Sequence, residues 1–255
     1  MSLKWKVLLT LGMVMLSVNG TLSWLHFRDL KTRFEGQRTD LRERLISEAI
    51  AVRTDSALRL QTQASLLATV GAGSAFQSKP GSLKLREHFD SYWPVLQLDL
   101  DINSMKVYSR TGATLAAWHA DAASDIEQDD RVRAVVSQER ALHWMHCRQI
   151  CTQFAAAPIL SAGRVAGVIV LGSSLGEVIV SFNRLSGADL GVLAPAGFVM
   201  DKNSLPNLGL QIVALSGSER NLPLLHQLKV LPPKQSKKNW QLVPYQGKQF
   251  ELSFV

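Results

Sequence analysis

Residues Ala141–Leu193 read ALHWMHCRQICTQFAAAPILSAGRVAGVIVLGSSLGEVIVSFNRLSGADLGVL, and this stretch decides the fold. Cys147 and Cys151 close a tight loop between Trp144 and Gln153. Two apolar runs follow, separated by Ser161-Ala162-Gly163-Arg164, a polar turn of hairpin composition. After the second run, Gly172-Ser173-Ser174 leads into Leu175, Val178, Ile179, Phe182 and Leu185, spaced as one face of a short helix that stops at Ser186-Gly187. A further strand, Leu190 to Leu193, comes next. Strand, hairpin, strand, short helix, strand describes an antiparallel sheet with a helix laid on it, an α+β sensor-like module rather than a doubly wound enzyme core.

Working outward, 255 residues with 46% hydrophobic and 19% charged side chains supply material for one large or two small cores. The formal charge of +7 is concentrated at the ends. Residues 1–38 carry six Lys/Arg against two acids, residues 39–228 seventeen against eighteen, and residues 229–255 five against one. A nucleic-acid reader places its cations on the folded face that meets phosphate, whereas this body is neutral, so nucleic acid is excluded as a partner.

The N-terminus reads Met-Ser-Leu-Lys-Trp-Lys and then an uncharged, mostly apolar run from Val7 to Phe27. That is about the 20-residue length of a helix that crosses a bilayer. Lys4 and Lys6 place residues 1–6 in the cytoplasm and the remainder outside it. A secretory signal cleaved after Gly20 is the rival reading, and either one exports the body. In an oxidising compartment Cys147 and Cys151 form a short disulfide. A metal site with His143 and His146 is the alternative, although His-x-x-His-Cys-x-x-x-Cys is a poor match to known metal-ligand spacings.

From Arg28 to about Ala75 the chain predicts one long helix, with Leu30, Phe34, Leu41, Leu45, Ala49, Val52, Leu66 and Leu67 at helical spacing and no proline before Pro80. Its apolar stripe either pairs with a second copy to make a homodimer or packs on the chain's own sheet. Gly71-Ala-Gly-Ser and Ser78-Lys-Pro-Gly-Ser end it. Ser82 to Leu98 suggests a short helix entering through Pro94. Ser104 to Ser109 predicts a strand, Arg110-Thr111-Gly112 a turn, and Ala113 to His119 the returning strand. An acidic stretch, Asp121 to Asp130, starts a helix from Arg131 to Glu139. About five antiparallel strands assemble over residues 76–187, with a second, membrane-proximal lobe over 188–255 that ends in Gln249-Phe-Glu-Leu-Ser-Phe-Val, a strand left unfinished.

Enzyme chemistry finds little support. Gly172-Ser-Ser-Leu-Gly lacks the Gly-x-Ser-x-Gly spacing of a nucleophile elbow and reads as a strand exit and helix cap. Asp125, Glu127, Asp129 and Asp130 lack the glycine and alternation of a calcium loop and suit the positive end of a helix dipole. No glycine-rich phosphate loop occurs, so neither catalysis nor a cofactor or metal is expected.

The membrane-anchored long helix, the turn Arg110-Thr-Gly, the block Cys147-Arg-Gln-Ile-Cys-Thr-Gln-Phe-Ala-Ala-Ala-Pro, Gly167-Val-Ile-Val-Leu-Gly-Ser-Ser-Leu, and Phe182-Asn-Arg-Leu-Ser-Gly-Ala-Asp-Leu-Gly-Val-Leu together resemble the periplasmic Cache-type sensor regions of bacterial transmembrane signalling proteins. The closest likeness is to those fused to GGDEF and EAL domains, which make and degrade cyclic di-GMP; histidine kinases and chemoreceptors share the architecture. The resemblance covers most of residues 1–195. It implies a PAS-like sheet outside the inner membrane that binds a small ligand, a homodimer, and a cytoplasmic output carried by a longer receptor; a stand-alone exported binding or scaffold protein is the other reading. A ligand would lie on the sheet between the long helix and the central hairpins, with Tyr108, Arg110, Trp118, His143 and Trp144 as candidate contacts. Arg110 suits a carboxylate and the aromatic rings suit an apolar or cationic group. The tyrosine, arginine, tryptophan and aspartate motif of many amino-acid-binding double Cache domains is absent.

Overall fold

A computed structural model describes residues 3–72, 82–119, 125–147, 151–196, 203–230 and 239–254, with residues 3–10, 71–72, 82–84 and 125–128 described by backbone alone. The expected loops at Gly73–Ser74 and Ser78–Gly81, the acidic residues Asp121–Ser124 and the centre of the cysteine loop, Arg148–Ile150, lie outside the described residues. The chain divides into two compact units, Met1–Ser47 and Glu48–Val255. Helix α1, Leu3–Leu66, passes through both and joins the helix expected over Val7–Phe27 to the one expected from Arg28 without a break. A π-helical turn, Leu67–Ala72, ends it.

In the first unit, Leu16, Trp24, Phe27, Leu30 and Phe34 are all exposed. Asp29 pairs with Arg33 at 2.9 Å and Lys31 with Glu35 at 4.0 Å, i,i+4 pairs that each add only a few tenths of a kcal/mol. Among the described residues no helix is long and apolar enough to cross a membrane. Of the Val7–Phe27 run, the side chains of residues 7–10 lie outside the described residues.

The second unit is built on the expected hairpin. β4 (Cys151–Ser161) and β5 (Arg164–Ser174) pair antiparallel from Thr152 opposite Ser174 to Ser161 opposite Arg164. Ala162 and Gly163 at the turn have φ of 50° and 74°, the two positive values that a type I′ turn demands. With β1 (Ser104–Ser109), β2 (Thr114–Trp118) and β3 (Leu142–Cys147) they make a five-stranded sheet in the order β2-β1-β5-β4-β3. Gly172 sits where the sheet is tightest. A Cβ there would overlap Ser104 Oγ and come within 3.0 Å of the Phe154 ring, so a larger residue would have to displace those two side chains.

Alternation sends neighbouring side chains to opposite faces. One face buries Met105, Val107, Ala116, Trp118, Ala155, Ala157, Ile159, Ile169 and Leu171 beneath Leu60, Ala64 and Ala68 of α1 and its π turn. α2 (Ser82–Asp90) and α3 (Trp93–Leu98) complete that layer through Leu85, Phe89, Trp93 and Leu96. The single helix expected over Ser82–Leu98 is thus two, and Pro94 starts the second in its first turn, where no backbone donor is needed. The other face buries Tyr108, Phe154, Ala156, Val168 and Val170 beneath Val132 and Val135 of α4 (Asp125–Gln138). That helix begins six residues before the expected Arg131, taking the acidic residues into its first turns.

α5 (Gly176–Ser186) ends at Gly187, whose N–H donates to Asn183 O at 2.8 Å, as the sequence suggests. Beyond it, β6 (Gly191–Pro195), β7 (Ser204–Leu205) and β8 (Leu210–Leu215) form a sheet in the order β6-β8-β7. α6 (Ser218–Leu225) and the hairpin of β9 (Trp240–Tyr245) with β10 (Lys248–Ser253) share its core of Leu205, Ile212, Leu224, Leu225, Leu228 and Val243. The final run is therefore a paired strand, with Lys248 opposite Tyr245 and Ser253 opposite Trp240.

Two features tie this lobe to the first. A disulfide joins Cys147 to Cys151, and Cys151 packs with Leu175 and Val178, against which lie Val52 of α1 and Leu190, Val192 and Val213 of the second lobe. Asp189 accepts hydrogen bonds from Asn183 at the end of α5 (3.3 Å) and Ser216 at the end of β8 (2.9 Å), and pairs with Arg220 of α6. Burial raises the Asp189 pKa, but hydrogen bonds from Asn221, Ser216 and Arg220 and the Arg220 charge outweigh it and leave the carboxyl below its ordinary value.

Ala162→Asn, which gives the Asn-Gly pair of a type I′ turn, is expected to raise unfolding free energy by about 0.5–1 kcal/mol in urea titration, because an alanine in the left-handed region is strained. Asp189→Ala is expected to cost about 1 kcal/mol at neutral pH, an estimate kept small for solvent screening. Since the folded pKa lies below the unfolded one, the wild-type advantage is full above the ordinary carboxylate range and disappears as pH falls through the folded pKa; thermal melts across that range measure it.

Candidate functional site

On β1 the period of two puts Lys106 and Tyr108 on the face covered by α4. Tyr108 is 1% exposed and Lys106 only 7%. Lys106 lies opposite Ala117 on β2 and Val170 on β5, in the middle of the sheet. Around the same face stand Phe154, Ala156, Val168, Val170, Leu142 and Trp144. The Trp144 ring stacks on Phe154 at 5.5 Å and 21°, a cross-strand pair that fixes both planes. A lysine withdrawn from water into such a wall is costly and rare. Its ammonium supplies three donors and a point charge suited to a carboxylate or phosphate, and Tyr108, two residues along the same strand, adds an aromatic ring on the same face.

Sequence reasoning passed over Lys106. Its burial follows from the sheet order, which places β1 between β2 and β5 with a helix on each face, and that order is not written in Ser-Met-Lys-Val-Tyr-Ser. Of the five candidates, Tyr108 and Trp144 share the α4 face. Trp118 and His143 lie on the opposite face, toward α1. Arg110 is exposed in the β1–β2 turn.

On the α1 face, Trp118 Nε1–H donates to Asp90 Oδ1 at 2.7 Å and its ring meets Phe89 edge-on at 5.6 Å and Trp93 at 6.4 Å. Trp93 Nε1–H donates to His119 Nδ1 at 3.0 Å. These rings lock α2 and α3 to β2. Nearer β3 the contacts to α1 are polar. Ser56 Oγ–H donates to Gln153 Oε1 at 3.1 Å, Gln61 Nε2–H donates to Ala141 O at 3.3 Å, and His143 Nδ1 lies 2.8 Å from Gln61 Oε1. Gln153, 3% exposed, is the cross-strand neighbour of Ser173. Ser173 Oγ–H donates to Asp101 Oδ2 at 3.3 Å. Burial raises the Asp101 pKa, the Ser173 hydrogen bond opposes this, and the Glu177 charge adds to it. Ser174 lies one residue before the helix cap, Leu175: its N–H donates to Asn103 Oδ1 at 2.7 Å and its Oγ accepts from Gly176 N–H at 3.2 Å, a local turn bond.

A family model described as the double sensory domain of two-component sensor kinase matches residues 41–253. The matched domain is sensory rather than catalytic. No curated protein matches the chain. Among solved structures, the chain is similar to the periplasmic domain of Vibrio cholerae LuxQ, with 13% identity and a TM-score of 0.46 over 85% of this chain and 98% of that one. The V. cholerae histidine kinase DctB sensor domain is 15% identical, with a TM-score of 0.43 over 81% of each chain. The ligand-binding domain of the Campylobacter jejuni chemoreceptor Tlp3, in complex with 4-methylisoleucine, is 11% identical, with a TM-score of 0.45 over 83% of this chain and 81% of that one.

Proposed function

Because the chain belongs to the dCache_3 family of double sensory domains, we propose that it is the extracytoplasmic input region of a membrane-anchored receptor, and that it senses a small organic molecule carrying a carboxylate. The family match, which spans both lobes, supports the sensory role. The buried Lys106, on the same face of β1 as Tyr108, supports the ligand class: its charge suits a carboxylate, and the apolar and aromatic residues of that face suit the remainder.

In this reading α1 carries the signal. Its residues 52, 56, 60, 64 and 68 face the sheet and the disulfide junction. Two positions away lies a second i,i+4 ladder, about 200° round the helix, of Ile50, Thr54, Leu58, Thr62, Leu66 and Val70, all exposed. Thr54 and Thr62 donate their hydroxyls to Ile50 O and Leu58 O, so the ladder presents mainly methyl groups. A second copy of the chain docks there to form a homodimer. Val52 belongs to the inward ladder, so the stripe expected through Leu45 and Val52 is replaced by one through Leu58. The exposed apolar side chains from Leu11 to Phe27 continue the helix into the membrane, leaving residues 1–6 in the cytoplasm.

The Cys147–Pro158 block carries the likeness to sensors of cyclic di-GMP enzymes, and we assign that output; the family description, a sensor kinase, favours phosphotransfer as the second reading. Cyclic di-GMP measured against phosphotransfer in cells expressing the whole receptor separates them. Screening small carboxylates by thermal shift is expected to find one that raises the Tm of the wild-type chain and leaves Lys106→Met, folded by circular dichroism, unmoved; equal shifts in both would rule out the lysine as the recognition group. Cysteine at Leu58 is expected to crosslink two chains in oxidised membranes while cysteine at Leu60, 3% exposed, does not.

A further inference from the structure

We propose that Ser56, Gln61, His143 and Gln153 form a polar latch that sets the axial register of α1 on the sheet. The apolar part of this seam sets it only weakly. Four residues of helix advance about 6 Å and two residues of strand about 6.6 Å, so an i,i+4 ladder runs in step with an i,i+2 strand. With the Ser56–Gln153 bond as the fixed point, Leu60, Ala64 and Ala68 run alongside Ala155, Ala157 and Ile159, all in one core. Displacement by one turn would bring Ser56 to Ala155, Leu60 to Ala157 and Ala64 to Ile159. Leu60 would pass from one alanine to the next and Ala64 to Ile159, so the apolar contacts separate the two registers less sharply than the hydrogen bonds do.

The hydrogen bonds do not tolerate the displacement. Val52 would come to Gln153, and Gln61 would leave both Ala141 O and His143. Gln61 donates its amide to Ala141 O, so its Oε1 is the acceptor and His143 Nδ1 carries the proton. At Gln153 the cost is visible: Oε1 accepts from Ser56, but Nε2 is buried without a hydrogen-bond partner among the described residues. A half-satisfied buried amide is a poor choice for stability, where leucine of similar volume serves better. Its use is to make one register differ from the next, as a lone buried polar residue does in a coiled coil. His143, expected from the sequence as a ligand contact, is on this reading a positioning residue.

The consequence for signalling rests on the receptor reading; the latch itself does not. Nitroxide labels at Arg59→Cys and Leu160→Cys, both exposed, report the position of α1 against β4. The described residues contain no free cysteine, and dilution into unlabelled chain in membranes removes distances between copies. The wild type is expected to give one distance. Ser56→Ala/Gln61→Ala/Gln153→Leu is expected to add a second population displaced by up to one turn, about 5.4 Å, and Ser56→Thr, which keeps the hydroxyl, to retain one. A folded triple variant with the single wild-type distance overturns the latch. Gln153→Leu alone is expected to melt no lower than wild type, and a marked loss would show that the amide stabilises rather than specifies. Should the triple variant not fold, Ser56→Ala/Gln61→Ala decides by the same distance. The Leu58 crosslink separately decides the receptor reading, because the distances require neither a dimer nor a ligand.

Discussion

The seating of α1 on β4 is the contact on which the rest of the second unit depends. Ala155, Ala157, Ala64 and Ala68 are 0–1% exposed, and with only a methyl group from each side the helix backbone approaches the sheet closely. Alanine is a poor strand former. Three in a row, Ala155-Ala156-Ala157, are tolerated in β4 because both faces of the strand are covered, by α1 on one side and α4 on the other. The strand contributes thinness, while Leu60, Phe89, Ile159 and Leu171 supply the buried volume around it.

The proposed sensing face and α1 are therefore separated by a single strand. Phe154 and Ala156 share the α4 face with Lys106, Tyr108 and Trp144, while Ala155 and Ala157 look toward α1. In the proposed mechanism a ligand on the α4 face alters the level of β4 and is felt by α1 without a longer chain of contacts. Coupling then requires only that the two seatings of α1 differ little in energy and that the ligand favours one of them.

The turn Ser161–Arg164, the Ser104–Ser109 strand and the stop at Gly187 were legible because each is decided within a few residues: by positive φ, by alternation and by a helix cap. The split of Ser82–Leu98 into two helices was not, since Ser91 and Tyr92 show no strong breaker and Pro94 suits the first turn of a helix as well as its end. The candidate site was half legible. Aromatic residues announce themselves, and Tyr108 and Trp144 share a face, but strand patterns do not say which face of the sheet each helix covers. That ambiguity scattered Trp118 and His143 to the far side. It also hid Lys106, whose burial follows from the sheet order and not from its immediate neighbours.

The placement of the disulfide has a bearing on biogenesis. Cys151 is 1% exposed, closed in by Val52, Leu175 and Val178. A thiol there is out of reach of an oxidant once α1 and α5 have packed. Cys147 is only half-buried, so an oxidant would have to engage it first and leave Cys151 to resolve the mixed disulfide, which is easiest while β3 and β4 are still an open hairpin.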